Sequence, residues 1–409
     1  MKTARSAAIG FIFITVLVDV IGFGIIIPVM PNLIAQMKHI PLNKASQDGS
    51  LLLAVYAFMQ FICSPILGNL SDKYGRRPVL LFSLLGFGID YLFLALAPSY
   101  GWLFIGRTIS GITGASFTTA SAYIADVSNA ENRTKNFGMI GAAFGLGFII
   151  GPFIGGQLSS FGLRAPFYAA AGLCLLNWLY GYFVLPESLD KEHRRPFDWR
   201  RANPVGSLAH LRKYPTISGL ILSLTLVYLG SHAVQSNWGY FTMFRFHWTE
   251  RMVGNSLGVV GLLIALVQVG LLRVVNPRLG NNRSVYVGLG FYALGMLLFG
   301  FASQSWMMYA FLVPYCLGGI AGPALQSIIS GHVPPNEQGE LQGGLTSLMS
   351  LTAIFGPLIM NNLFYLFTSP KAPVYFPGVS FLLGAVFMIG STVLAYLTLR
   401  TEKTVPTTA

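Results

Sequence analysis

Charge is what this 409-residue sequence has least of, since only 10% of its residues are Asp, Glu, Lys or Arg, whereas soluble domains average about 25%. Hydrophobic residues make up 54% of the chain, and the mean hydropathy is +0.62. So few charges cannot cover a water-facing surface. The composition excludes a soluble enzyme, a disordered protein and a disulfide scaffold, and it predicts a membrane protein.

Cysteine and catalytic motifs are also scarce. The three cysteines, Cys63, Cys174 and Cys316, all lie inside apolar runs, and an odd number of such thiols predicts neither a disulfide framework nor a metal site. The sequence has no P-loop, no G-x-S-x-G and no H-E-x-x-H. A G-x-G-x-x-A pattern at 288–293 lies within an apolar run, without the preceding strand that a dinucleotide site requires. We therefore expect no catalytic residue, no metal and no cofactor.

Apolar runs of about 20 residues, the length that crosses a bilayer as a helix, occur twelve times. They cover residues 7–30, 49–70, 79–98, 101–125, 136–158, 165–186, 216–239, 253–273, 284–303, 305–330, 341–367 and 378–399. The sequence thus predicts an all-α membrane protein with twelve transmembrane helices.

The net charge of +12 would suggest nucleic acid in a soluble protein, but here it follows the membrane topology. Nineteen of the 26 Lys and Arg residues fall in loops on the side of the two termini, six fall on the other side, and Arg107 lies inside a span. Basic loops are cytoplasmic. We expect both termini in the cytoplasm, a lipid bilayer as the surroundings and no nucleic-acid partner.

The two halves of the chain resemble each other. The sequence divides into a bundle at 1–186, a hydrophilic cytoplasmic linker at 187–214, a second bundle at 215–400 and a tail at 401–409. Trp102 and Trp306 lie 204 residues apart, and Gly-Pro pairs begin at Gly151 and Gly356. These matches predict two pseudo-symmetric six-helix bundles, an architecture that places a substrate site between the halves. A channel or a membrane-embedded enzyme is the competing class.

The loop between spans two and three has a strong motif. It reads Gly68-Asn-Leu-Ser-Asp72-Lys-Tyr-Gly75-Arg76-Arg77, which resembles the signature of the major facilitator superfamily at every position. Asp72 is expected at a helix N-terminus, where a carboxylate is favoured, and Arg76 is expected to pair with Asp126. The resemblance implies a gating cluster that latches the outward-facing state. The alternative, that these basic residues only set topology, does not explain the glycines or Asp72.

Span five has a second pattern, made of small residues and one proline. Its members are Gly138, Gly147, Gly151, Pro152, Gly155 and Gly156. The pattern resembles the antiporter motif of the drug/proton branch of the same superfamily. Glycines on one face permit close helix contact, and a proline bends the helix. Ordinary small-residue packing is the alternative.

Further segments narrow the resemblance to the tetracycline/proton antiporters of Gram-negative bacteria. They include 51–60, 88–91, 106–115, 122–126, 185–188, 245–248 and 323–326. The resemblance implies proton-coupled efflux of a hydrophobic drug-like or tetracycline-like small molecule by a monomer in the bacterial inner membrane.

Three charges lie in the interior of spans, away from their ends: Asp19, Asp90 and Arg107. Each costs about 2.5–3.5 kcal/mol at the bilayer centre, so each needs a partner or a function. The two aspartates match membrane aspartates of the tetracycline antiporters, which implies proton coupling or substrate contact, with Arg107 tuning them. An Asp–Arg pair that only holds helices together is the structural alternative.

The second half departs from that family. Tyr292 stands where the antiporters have an aspartate in span nine, and Ile264 stands where they have a histidine in span eight, whereas Gln268 matches. Coupling would then rest on the first half, and the substrate could be less cationic or less metal-dependent than a tetracycline–magnesium chelate.

Several polar or aromatic residues within spans are candidates to line a substrate cavity, although helix–helix hydrogen bonding or packing would explain each one equally well. They are Tyr56, Gln60, Gln235, Asn237 and Gln268. Two other functions stay open: a proton-coupled metabolite, siderophore or sugar transporter of the same fold, and a non-transporting membrane scaffold.

Overall fold

Helices make up almost all of the computed structural model, which describes residues 2–114, 116–128, 132–199, 203–214, 217–334 and 337–402. Seventeen α-helices and no strand occur among these residues. In chain order they are α1 (Lys2–Ile26), α2 (Met30–Lys38), α3 (Leu42–Tyr74), α4 (Arg76–Leu96), α5 (Tyr100–Thr113), α6 (Ser116–Val127), α7 (Arg133–Leu158), α8 (Ala165–Val184), α9 (Pro204–His210), α10 (Ser218–Gln235), α11 (Trp238–Phe246), α12 (Glu250–Leu266), α13 (Leu272–Phe301), α14 (Ser305–Leu317), α15 (Ala321–Gly331), α16 (Gln338–Thr368) and α17 (Val379–Glu402). Residue 215, where the second bundle is expected to begin, and residues 403–409 of the expected tail lie outside the described residues.

Within this part of the chain, eleven helical segments are long and apolar enough to cross a membrane. They coincide with eleven of the twelve predicted spans, and the all-α membrane fold is confirmed. Span four differs, because two shorter helices, α5 and α6, occupy it on either side of residue 115. At the end of α5 the Gly114 N–H bonds to the Gly111 carbonyl oxygen at 3.3 Å, a tighter turn than an α-helix has.

The chain forms two compact units. The first unit comprises Met1–Pro41, Val55–Pro204 and Trp248–Gly261, and the second comprises Leu42–Ala54, Val205–His247 and Leu262–Ala409. Each unit therefore includes one short segment from the opposite half of the sequence: the start of α12 in the first unit and the start of α3 in the second.

Side-chain hydrogen bonds hold these short segments in their units. In the first unit, Asn32 Nδ2 donates to Glu250 Oε1 at 2.6 Å. In the second, Asn43 Nδ2 donates to the Thr368 carbonyl oxygen at 3.0 Å. The Asn43 bond is buried, and a buried hydrogen bond is stronger because water does not compete for its donor.

Helix α1 packs against α7 through three glycines of the predicted antiporter motif. A methyl group added at Gly147 would lie 2.6 Å from Val20 Cβ, and one added at Gly151 would lie 2.8 Å from the Ile21 carbonyl oxygen. One added at Gly155 would lie 2.9 Å from Ile25 Cα. These glycines, four residues apart, share one helix face, and their missing side chains let the two backbones touch.

Two other glycines of the motif do not share this face. Gly156 faces α12, where an added methyl would lie 3.0 Å from Gly254 Cα, and Gly138 has no atom within 4 Å of that position. The expectation that the motif glycines form one contact face is thus correct for Gly147, Gly151 and Gly155 only. Glycine spacing along a helix does not specify which neighbour each face meets.

We expect Gly155→Ala to destabilise the protein by about 1–3 kcal/mol, the usual cost of overpacking, because its new methyl would overlap the backbone of α1 rather than a movable side chain. Thermal unfolding can be followed with a maleimide dye, since the Cys174 and Cys316 thiols are buried and react only on unfolding. Gly138→Ala on the same helix is the control and should be neutral or slightly stabilising. Equal unfolding temperatures for Gly155→Ala and the unmodified protein would contradict this packing.

Candidate functional site

The centre of the first unit contains a buried ion pair between α4 and α5. A guanidinium nitrogen of Arg107 bonds to Asp90 Oδ2, and the side chains are 3% and 0% exposed. A methyl group at Gly106 would lie 2.8 Å from Asp90 Oδ1, so this glycine leaves the space that the carboxylate fills. Two of the three predicted membrane charges are therefore brought together, and each neutralises the other.

Aromatic rings from two helices surround Arg107. Its guanidinium carbon lies 5.8 Å from the ring centre of Tyr56 on α3 and 5.9 Å from that of Tyr91 on α4, within the range of a cation–π attraction. Gln60 Nε2 donates to the Tyr56 hydroxyl at 3.2 Å and to the Gly114 carbonyl oxygen at 3.0 Å. Tyr56 and Gln60, both cavity candidates, thus belong to the shell around the ion pair.

Asp19 on α1 differs from Asp90 in having no ionic partner among the described residues. Both of its carboxylate oxygens are buried and lack a hydrogen-bond partner by geometry, although the side chain of Ser116 lies beside it. A buried carboxylate is far more costly to charge without a partner than within an ion pair. The site therefore contains one carboxylate that is neutralised in place and one that is not.

The loop between α3 and α4 is organised around Arg76. Its Nε donates to Asp126 Oδ2 at 3.0 Å, and its Nη1 donates to Asp72 Oδ1 at 2.5 Å and to Ser71 Oγ at 2.7 Å. The expected pairing of Arg76 with Asp126 is present. The expected position of Asp72 at a helix N-terminus is wrong, because α3 continues to Tyr74 and Asp72 lies in its last turn.

Glu187, from the start of the linker, fills the place expected for Asp72. Its two carboxylate oxygens accept from the backbone N–H groups of Arg76 at 2.8 Å and Arg77 at 3.2 Å, which open α4 and have no partner within the helix. They also accept from the N–H groups of Ser188 and Leu189 at 2.9 and 3.1 Å. Negative charge is favoured at a helix N-terminus. Sequence reasoning missed this role, because the contact joins residues 111 positions apart.

Gly75, between the two helices, leaves room for that carboxylate. Its φ of +108° suits glycine, and an added methyl would lie 2.7 Å from Glu187 Cδ. The first part of the 187–214 linker then continues along the same loop. The Arg195 N–H donates to the Asp72 carbonyl oxygen at 3.1 Å, and Asn69 Nδ2 donates to that of Asp198 at 2.6 Å. This part of the linker is hydrogen-bonded to the loop rather than simply solvated, although most of its side chains are exposed.

The far end of the linker makes contacts of its own in the second unit. Lys213 Nζ lies 2.9 Å from Glu340 Oε2. The Tyr214 hydroxyl donates to Glu337 Oε2 at 2.6 Å, and this bond raises the pKa of Tyr214 to about 12. Both contacts involve the start of α16.

The second unit contains the other three cavity candidates. Gln235 and Gln268 are exposed, whereas Asn237 is fully buried with an unpaired amide. Gln268 lies in a single π-helical turn, Val267–Leu271, a distortion common at functional sites.

Tyr292, which stands in place of an acid, packs among small and aromatic residues of the second unit. Its ring lies 5.2 Å from that of Tyr315, and a methyl group at Gly318 would lie 2.6 Å from Tyr292 Cδ1. Nowhere in the described residues do three or more His, Cys, Asp or Glu side chains come together as metal ligands would.

A cavity of about 950 Å³ also opens in the first unit, lined by residues that include Leu33, His39, Arg164 and Glu250. None of the three membrane charges lines it. We therefore do not assign it to the chemistry of Asp19 and Asp90.

Comparison with known proteins agrees with this architecture. The sequence profile of the Major Facilitator Superfamily matches residues 12–313 and 220–408. The chain is 42% identical to the tetracycline resistance protein, class C, of Escherichia coli over 86% of this chain and 88% of that protein. It is 35% identical to the class H protein of Pasteurella multocida over 97% and 96% of the two chains.

Solved structures show the same fold at low sequence identity. A bacterial homolog of the human lysosomal transporter Spinster, in an inward-facing and unoccupied conformation, matches all of both chains with a TM-score of 0.81 at 16% identity. The human organic anion transporter MFSD10 (TETRAN) matches 96% of this chain and 99% of that one, with a TM-score of 0.73 at 23% identity.

We expect Glu187→Gln to loosen the linker from the α3–α4 loop, because a neutral amide replaces the charge-assisted acceptor of several backbone N–H groups. Trypsin should cleave the 191–195 segment several-fold faster in Glu187→Gln than in the unmodified protein, measured in membrane vesicles whose outer surface carries the linker. Glu192→Gln alters an exposed acid of the same linker and should leave the rate unchanged. Identical cleavage rates for the two variants would exclude a clamp by Glu187.

Proposed function

Because the chain belongs to the major facilitator superfamily, we propose that it is a proton-coupled exporter of hydrophobic, drug-like or tetracycline-like molecules. Several relatives at 35–42% identity are tetracycline resistance proteins, which supports this substrate class. A bacterial inner membrane, cytoplasmic termini and a monomer that alternates access between its two sides complete the proposal.

The carboxylate of Asp19, which has no ionic partner among the described residues and which acts with Asp90 and Arg107 on the same two tyrosines, Tyr56 and Tyr91, is the observation that carries the proposal. A membrane charge without a partner is costly, so Asp19 is suited to carry a proton while buried and to release it when water or substrate reaches it. Asp90 stays neutralised by Arg107. Movement of one proton charge through 100 mV supplies about 2.3 kcal/mol, sufficient for a roughly fiftyfold export ratio.

The Arg76 cluster supports a gating role. Its bonds to Asp72 and Asp126, and the Glu187 clamp on the adjoining backbone, fix the α3–α4 loop in one position. We assign Gly68, Gly75 and Arg77 to the same gate, since Gly75 permits the turn and Arg77 Nη2 donates to the Tyr182 carbonyl oxygen at 2.6 Å. Opening of this side would require these bonds to exchange for others.

The substrate is expected to differ in charge from a tetracycline–magnesium chelate. In the second unit, Tyr292 packs against Tyr315, and Ile264 is an apolar residue of α12. No acid at these two positions can bind a cation. The exposed amides of Gln235 and Gln268 instead suit uncharged hydrogen-bonding groups.

We expect Asp19→Asn to abolish proton-driven export, because an amide cannot take up and release a proton. Its protein level should be unchanged, since Asp19 leaves no ionic partner uncompensated and the amide oxygen can still accept from Ser116. Asp90→Asn should reduce the amount of folded protein as well, because it leaves Arg107 buried and unpaired, a loss of about 3–5 kcal/mol. The double variant Asp90→Asn/Arg107→Gln should recover folding without recovering export.

The measurement is collapse of a pH gradient in inside-out vesicles on addition of tetracyclines, other cationic drugs and neutral drugs. Asp190→Asn, in an exposed part of the linker, is the matched control and should exchange protons normally. Full drug/proton exchange by Asp19→Asn would overturn the role of that residue. No response of the unmodified protein to any drug, with protein present in the membrane, would favour a metabolite or siderophore transporter.

A further inference from the structure

Four helices of the first unit each bury a polar side chain with unpaired atoms. They are Thr15 on α1, Ser83 on α4, Thr119 on α6 and Asn177 on α8, of which the first three are 0% exposed and Asn177 is 5% exposed. Their three hydroxyl oxygens and both amide atoms of Asn177 have no hydrogen-bond partner among the described residues. Buried polar atoms are nearly always bonded, so four exceptions in neighbouring helices need a common explanation.

Contacts between α1 and α8 place two of these residues at one level. A methyl group at Gly181 of α8 would lie 2.7 Å from Phe11 Cζ of α1, which aligns the two helices there. One helical turn is 3.6 residues. The two helices run antiparallel, so a step down the numbering of α8 corresponds to a step up the numbering of α1. Asn177 lies one turn from Gly181, and Thr15 lies one turn from Phe11 in the same spatial direction.

Ser83 lies within the same layer. Two contacts align α4 with α8. A methyl group added at Gly181 would lie 3.1 Å from Leu81 Cδ2, and one added at Gly88 would lie 2.6 Å from Leu175 Cδ2. Ser83 lies between the two α4 positions of these contacts, just as Asn177 lies between the two α8 positions. Both residues therefore fall within the same two turns of the bundle.

Thr119 reaches this layer through α6. Ser116 lies beside Asp19, and α6 is antiparallel to α1. Thr119 lies one turn after Ser116 on α6. Because α1 runs the opposite way, the residue at the matching level of α1 lies one turn before Asp19, and this residue is Thr15. The layer is thus one turn from Asp19 on the side of the α3–α4 loop.

Beyond this layer the polar groups continue. The Tyr123 hydroxyl, one turn past Thr119, donates to the Pro186 carbonyl oxygen at 2.9 Å, and Asp126 beyond it pairs with Arg76. Val16, Leu80 and Ala120, each next to or near one of these residues along its helix, belong to one buried apolar cluster. A buried polar site of this kind suits water, which needs two to four polar partners.

We propose that Thr15, Ser83, Thr119 and Asn177 bind ordered water inside the first bundle, and that this water conducts protons between Asp19 and the Arg76 end. The conduction role rests on the proposed function. Asp19 gives its proton to the adjacent water, which passes one of its own hydrogens to the next. The relay ends with a carboxylate at Asp19, unchanged water between and one hydrated proton at the far end. The Ser and Thr hydroxyls both donate and accept, and Asn177 positions the water.

We infer that this route is separate from the path that the substrate takes, because all four side chains are buried within the bundle, whereas the cavity candidates Gln235 and Gln268 are exposed. Its removal should therefore slow proton movement without altering substrate binding. The double variant Thr15→Val/Asn177→Leu replaces two of the four polar groups by apolar groups of similar shape, which folded proteins tolerate when no partner is left unbonded.

We expect this variant to reduce the rate of drug/proton exchange in proteoliposomes at least tenfold, while drug-for-drug exchange and drug affinity stay within twofold of the unmodified protein. Thr108→Val is the control, because the Thr108 hydroxyl already bonds to the Phe104 carbonyl oxygen of its own helix at 2.9 Å. Unchanged drug/proton exchange in the double variant would overturn the conduction role.

The water itself is tested without transport. X-ray radiolysis in ¹⁸O water labels side chains next to bound water. Cys174 lies one helical turn from Asn177 on α8, and Tyr123 lies one turn from Thr119 on α6. We expect ¹⁸O at both reporters in the unmodified protein and its loss from both in the double variant. No label at either residue in the unmodified protein would overturn the water site. If the unmodified protein is labelled but shows no drug/proton exchange, the water site stands. The proposed function and the conduction role are then both rejected.

Discussion

The first unit depends on one interaction, the buried ion pair between Asp90 and Arg107. Hydrocarbon offers no water to solvate a charge, so either residue alone would oppose insertion of its helix. Together they join α4 to α5, and the rings of Tyr56 and Tyr91 tie the pair to α3 and α4. Gly106 and Gly111 serve the same arrangement, because their missing side chains let α5 approach Asp90 and the Tyr56 backbone. The pair thus sets the position of three helices.

This constraint separates the tasks of the two membrane carboxylates. Asp90 cannot take up a proton without leaving the charge of Arg107 uncompensated. Protonation of Asp90 would therefore require α5 to move, so that Arg107 reaches another partner or water. Asp19 faces no such restriction, since it has no ionic partner among the described residues. One carboxylate without an ionic partner and one held in an ion pair suit the link between proton uptake and conformational change that we propose.

The sequence identified the residues whose chemistry is unusual for their surroundings, namely the charges in spans and the charged loop after α3. The pairing of Arg76 with Asp126 follows from their types and their positions at the ends of adjacent spans. The position of Glu187 does not follow, because its partners are backbone N–H groups that carry no sequence signal. Gly138 shows the same limit, since its spacing fits the motif while its surroundings in the fold are open.

The second unit lacks any counterpart of this charged centre at the positions that the resemblance singles out, and Tyr292 packs instead against Tyr315 and Gly318. An uncharged wall of this kind cannot compete for a proton. Under the proposed function, coupling would arise in the first unit, and amides and aromatic rings of the second unit would contact the substrate. Such a division would let substitutions in the second unit change substrate specificity, while the proton-coupling role that we propose for Asp19, Asp90 and Arg107 stays intact.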